Sequence, residues 1–391
     1  MRNQDGDAKV GSRSLMHSTK RGIVAFISGV LLLAAASCGR SGLPPAQSFS
    51  GDSSAQIMSV SWSPDGRRVA AGGYSGAVRI WNVIRAAQDR VLDLRAGPIL
   101  RALWSPTGHR LAVVTEKRLE LLDAETGNVV RSLETSSLVY GLGLSDIAWS
   151  HDGRRLATAG WLDAAVRVFD GASGREVSVL RGHREGASTV AWSPDDHFLA
   201  SGGMVGDGTI RIWDPARDKQ LELIDAHTNN WLAVAWSPNV DALAWHGYSD
   251  PVVHLWDTVA RRERLTMHQR YGEAALSWSP GRGQLVTVDE SGILRLWNAR
   301  TGAEDDSLGS ESSQFTVVDV ASSPDGGRLA VAAGGRITVW EVATRGIQYL
   351  DVSHATAQSE LLHIAWSPDG AWIAGGFVDG SVRLWQLART R

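Results

Sequence analysis

The residues able to do chemistry are few and scattered. Cys38 is the single cysteine in 391 residues, and eleven histidines are spread along the chain. A hydrolytic zinc site needs two histidines one helical turn apart with a glutamate between them, and a structural zinc needs Cys or His pairs; neither pattern occurs. There is no phosphate-binding glycine loop, no dinucleotide glycine motif and no Gly-x-Ser-x-Gly elbow. His183, His227 and His354 each precede an apolar segment, while His246 and His254 are too isolated to serve as ligands. The expectation is a non-enzyme without metal or cofactor. One charged set recurs: Arg79, Arg167, Arg211, Arg295 and Arg383 stand at equivalent places in aliphatic segments. Brought together they would form an anion-binding ring. The plainer and preferred role is packing of the stems, with the heads in water or on backbone carbonyls.

The elements around these arginines repeat. A turn of the type Trp62-Ser63-Pro64-Asp65-Gly66 recurs at Trp104, Trp149, Trp192, Trp236, Trp278, Ser322 and Trp366, with spacings of 42, 45, 43, 44, 42, 44 and 44 residues. Each is followed 18 to 21 residues later by an aliphatic strand ending in Trp81-Asn82, Leu122-Asp123, Phe169-Asp170, Trp213-Asp214, Trp256-Asp257, Trp297-Asn298, Trp340-Glu341 or Trp385-Gln386. Proline presets the second turn position and glycine accepts the left-handed one. Each unit reads as four strands: an apolar strand a (Ile57–Trp62), a small-residue strand b (Val69–Gly72), an alternating strand c (Val78–Trp81) and a more polar strand d (Glu176–Leu180 in the third unit). A period of 40–45 residues with this turn and dipeptide marks propeller blades. The chain stops four residues after the eighth strand c, and Pro45–Ser50 lies where a strand d would precede the first strand a. The predicted fold is all-β: a single eight-bladed β-propeller over residues 43–391, closed by an N-terminal strand, with seven blades plus a degenerate unit as the alternative. Closure would leave no open sheet edge at the junction.

Ahead of the repeats, Ile23–Ala36 is an apolar run preceded by Lys20-Arg21 and followed by Ser37-Cys38. It is short for a membrane span and has the layout of a signal peptide. The segment resembles the signal peptides of bacterial lipoproteins, with Ala35 where that pattern usually has Leu. The resemblance implies residues 1–37 as signal peptide, acylation (palmitate-bearing) at Cys38, and 38–42 as the linker. Ordinary cleavage after Ala36, leaving Cys38 as a thiol, is the competing reading. Met16 is the more ordinary start. Residues 1–37 contain five basic and two acidic side chains, so the body has 34 against 40, a net charge of −6. With no basic block, nucleic acid is not the expected partner.

Together the turns and terminal dipeptides make the chain resemble the WD-repeat propellers over Pro45–Arg391. In that family a His before strand a, a Ser or Thr in strand b, an Asp in the b–c turn and the strand-c Trp form a buried tetrad. The resemblance assigns His183, Ser201, Asp207 and Trp213 to it in the fourth unit; Thr158 and Asp163, Asp250 and Asp379 match in part in the third, fifth and eighth. It also puts the b–c and d–a loops on one face, the top. Tyr74, Trp161, Tyr248 and Phe377 fall in predicted b–c loops, and Tyr140, Trp231, Tyr271 and Phe315 in d–a loops or at the entry to strand a. Aromatic residues anchor interfaces, so these eight are the expected partner-binding set, with Asp163, Asn229, Asn230, Arg270 and Glu360 as polar rim; a plug of the central channel is the bland alternative. The expected function is a monomeric, non-catalytic interaction scaffold, exported and held as a lipoprotein at the bacterial cell envelope, binding a protein or peptide through its top face. An outer-membrane assembly factor and a small-ligand or glycan receptor are the competing readings.

Overall fold

The computed structural model describes residues 45–51, 55–115, 118–134, 144–160, 163–228, 230–248, 250–269, 273–279, 283–289, 293–308, 317–333, 336–352 and 360–387. Their strands form eight four-stranded antiparallel sheets, each a blade. The first comprises strand a, Ile57–Trp62; b, Arg68–Gly73; c, Ala77–Asn82; and d, Ala87–Asp93. The eighth has only three strands in chain order, and its fourth position is filled from the other end of the chain. Gln47–Phe49 pairs antiparallel with Val382–Gln386, matching Gln47 to Leu384 and Phe49 to Val382. Phe49 is buried and stacks on Trp81 of the first blade at 5.7 Å, and Gln47 Nε2 donates to Val83 O. The closing strand therefore fastens the last blade to the first.

The turn chemistry is as the sequence implies. Ser63 Oγ donates to Asp65 Oδ1 and accepts from Arg68 N, while Gly66 takes φ 68°. Two departures compensate each other. The third turn has His151 where Pro is usual, and the fourth has Asp196 where Gly is usual, held at φ 59°. The Asp196 carboxylate accepts from His151 N (2.7 Å) and Asp152 N (2.8 Å) and lies 2.9 Å from His151 Nδ1. Proline at 151 would lack the first donor.

What joins the blades is a ring of tryptophans. Trp62, Trp149, Trp192, Trp236, Trp278 and Trp366 donate their indole N–H to Ala365, Leu103, Ala148, Ala191, Ala235 and Ala321 O, at 2.9–3.3 Å. Each acceptor belongs to strand a of the preceding blade. Ser322, which replaces the seventh Trp, pairs instead with Ser277 Oγ at 2.7 Å. The arginine opening strand b also crosses: Arg68, Arg155 and Arg328 lie over Trp104, Trp192 and Trp366 of the next blade at 4.5–5.2 Å. These cation–ring contacts add to the apolar core between adjacent sheets.

Candidate functional site

The a–b and c–d turns share one rim of the ring, and the b–c and d–a loops share the other. The fourth blade carries the complete tetrad at the latter rim. His183 Nδ1 meets Asp207 Oδ1 at 2.9 Å and its Nε2 meets Ser201 Oγ at 2.7 Å, which also accepts Trp213 Nε1–H at 2.8 Å. The His183 and Asp207 side chains are wholly buried. Burial works against the charged form of Asp207, but hydrogen bonds from His183, Thr209 and Arg184 N overcome it and hold the carboxyl well below the usual range. Elsewhere the network is rebuilt. In the sixth blade Trp297 donates to Thr287 Oγ1, and Gln269 stands near the His position, within reach of both Thr287 and Arg295. The fifth replaces it with Trp245 stacked on His254 at 5.0 Å.

The recurrent arginines form no anion ring. Each guanidinium is taken within its own blade or at its edge: Arg79 by Gln88, Arg167 by Asp163 and Glu176, Arg211 by Gln220, Arg295 by Asp289 and Gln269, and Arg383 by Asp379 and Val352 O. Carboxylates and amides hold most of these heads, where water or backbone carbonyls were expected.

The top-rim aromatics divide. Tyr140, Trp161, Tyr271 and Phe315 lie outside the described residues, as do Asn229, Arg270, Cys38 and the N-terminal signal segment. Phe377 is not an exposed anchor. It is the last residue of strand b, paired with Leu361 and fully buried against Trp385, with Arg383 over its ring at 4.0 Å. Strand b runs two residues farther than its small-residue pattern suggests, which draws the ring into the core. Tyr74 is 50% exposed on the first blade. Trp231 and Tyr248 do come together, with rings 6.2 Å apart. Tyr248 N donates to Trp231 O and Asn230 Nδ2 to Tyr248 O, so the two loops brace one another. Next to them, on the fourth blade, is a shallow depression of about 500 Å³ lined by Asp207, Thr209, Leu223, Asp225, His227 and Thr228. Leu223 in its lining, and Val205 elsewhere on the same blade, are each more than half exposed. Sequence reasoning passed over both, because a lone valine or leucine in a loop or outer strand carries no motif.

Four stretches, 43–82, 127–170, 174–214 and 350–386, match the family described as WD domain, G-beta repeat. Over these stretches the chain is similar to WD repeats. The matched stretches contain strands a–c of the first, third, fourth and eighth blades; the fifth and sixth, where the tetrad is rebuilt, lie outside them. Among similar proteins, "Cell division cycle 20.1, cofactor of APC complex" of Arabidopsis thaliana is 29% identical over 71% of this chain and 61% of its own length. The "WD repeat-containing protein slp1" of Schizosaccharomyces pombe is 25% identical over 71% and 56%. The chain thus spans about three fifths of the length of these relatives. In fold it is similar to Chaetomium thermophilum Sqt1, solved bound to the N-terminus of ribosomal protein L10 (TM-score 0.75, 15% identity, covering 88% of this chain and 99% of that one). The computationally designed Ika8 protein gives a TM-score of 0.72 at 17% identity, covering 88% and 99%.

Proposed function

We propose that this chain is a monomeric, non-catalytic scaffold of the bacterial cell envelope, anchored by lipid at Cys38, that captures a protein or peptide on its top rim at the fourth and fifth blades. The observation that carries the binding surface is the braced Trp231–Tyr248–Asn230 unit beside the depression at Asp225 and His227. Two aromatic rings with polar tips, fixed by backbone hydrogen bonds and about a third or less open to solvent, supply contact area at little cost in conformational entropy. The WD-repeat relatives named for a role in a complex, and a similarly folded protein bound to a peptide, support recognition as the class of function. The envelope anchor rests on the N-terminal segment alone.

Crosslinked affinity capture from membranes tests the reading, comparing the native chain with a Trp231→Ala, Tyr248→Ala variant that melts at the same temperature. A partner held by the native chain and lost from the variant is the expected result. The same partner on both proteins moves the site elsewhere on the ring and refutes this assignment.

A further inference from the structure

The direction of the closing strand determines which rim the N-terminal tether leaves from. Val382–Gln386 is a strand c and runs from the top rim to the bottom one; Gln47–Phe49 is antiparallel to it, so the chain enters from the bottom. Eight residues separate Cys38 from Gln47, and the nine Cα-to-Cα steps between them span at most about 30 Å however they are arranged. The entry point is beside the c–d turn of the first blade, where Gln47 Nε2 donates to Val83 O at 3.2 Å.

Two of the described c–d turns present a large exposed aliphatic side chain, Ile84 here and Val259 in the fifth blade, and the first is set apart by the cations beside it. The other described c–d turns carry Glu125, Ala172, Ala216, Arg300 and Ala343 at that position, and Ile84 is 74% exposed. Arg85 follows it, and Arg67 is brought alongside by the hydrogen bond from Val83 N to Arg67 O (2.9 Å). Both arginines are exposed, and neither guanidinium makes a hydrogen bond or ion pair with a described residue. An exposed aliphatic tip between two cations that make no hydrogen bond, of which Arg67 acts only electrostatically on the Asp65 carboxylate, suits the boundary between anionic headgroups and acyl chains.

We infer that Ile84, Arg85 and Arg67 form a membrane-contacting edge, on which the ring stands tilted against an anionic lipid surface with its top rim directed away from it. The inference rests on the lipid anchor proposed above. Reach and composition together select lipid as the occupant: the tether confines this turn near the surface, and the turn carries the side chains such a surface accepts. The fifth blade lies across the ring from the first, and its Val259, 81% exposed, is the internal control.

The test uses full-length protein extracted from membranes and reconstituted into phosphatidylglycerol–phosphatidylethanolamine vesicles. Ile84→Cys and Val259→Cys are labelled separately with a polarity-sensitive thiol dye, and bromine-bearing lipid is the quencher. The native chain, whose only cysteine is Cys38, reports on the anchor: a blocked thiol keeps it, and dye uptake removes it and this inference with it. With Cys38 blocked, the expected result is a blue-shifted, quenched dye at position 84 and an aqueous one at 259. Dye in water at both positions overturns the edge while leaving the anchor intact. Quenching at both overturns the tilt. Charge reversal at Arg67→Glu and Arg85→Glu returns position 84 to water; unchanged quenching refutes the role of the cations.

Discussion

Acid should weaken the fifth blade through one histidine. His246 lies in strand b, Ala242–Gly247, and is 4% exposed. Burial drives its pKa from 6.5 down to about 4, against the opposing effects of its hydrogen bond to Gly247 O (3.0 Å) and of the Asp250 carboxylate. The depressed value means that the unfolded chain binds a proton over a range where the native one does not. Stability is therefore full above the unfolded pKa and falls as pH drops from about 6.5 towards 4. At 1.36 kcal/mol per unit, the shift removes about 2 kcal/mol by pH 5 and about 3 kcal/mol in all. Valine occupies the corresponding position in the second and sixth blades, at Val114 and Val288, so His246→Val is the matched replacement. Denaturant or thermal unfolding of native protein and variant, recorded from pH 7.5 to 4, isolates the contribution because every other group titrates in both. The native protein should lose more stability than the variant, with the gap opening between pH 6.5 and 4. Parallel curves would refute the argument.

Deleting residues 43–50 removes the closing strand, the Phe49–Trp81 stack and a row of ladder bonds. It should cost at least about 3 kcal/mol from the buried ring and lost hydrogen bonds, read as a fall in melting temperature; an unchanged melt would sink the closure. Glu120 takes the place of the strand-c arginine in the second blade, and its Oε2 has no hydrogen-bond partner among the described residues. Burial raises its pKa against the pull of Arg118 and Ser132, so its contribution is present below about pH 4.5 and lost as pH rises through the folded value. Glu120→Gln should gain about 1 kcal/mol at neutral pH and flatten that dependence in a chemical melt. Asp196→Gly should destabilise on its own by about 1–2 kcal/mol, while Asp196→Gly with His151→Pro should recover much of the loss. Additive effects in that double-mutant cycle would show the two departures to be unrelated.

The sequence by itself determined the blade number, the turn geometry and the closure. Each of these is encoded within a few adjacent residues, as in Ser63-Pro64-Asp65-Gly66, or in the spacing between copies. The His183–Ser201–Asp207–Trp213 tetrad was legible for the same reason, since its members all lie within one repeat. Only the tertiary structure decided which neighbours the long side chains choose. Trp62 bonds to Ala365, 303 residues away, and no local pattern specifies that acceptor. Strand ends and register also escaped the sequence. A bulge recurs near the start of strand a, between Ile57 and Ser59, Ile99 and Arg101, and Leu361 and His363. A shift of one residue turns every following side chain to the other face of its sheet. Spacing therefore placed Phe377 on the rim, whereas packing took it into the core. The same packing set Trp231 against Tyr248, two loops that sequence distance alone does not bring together.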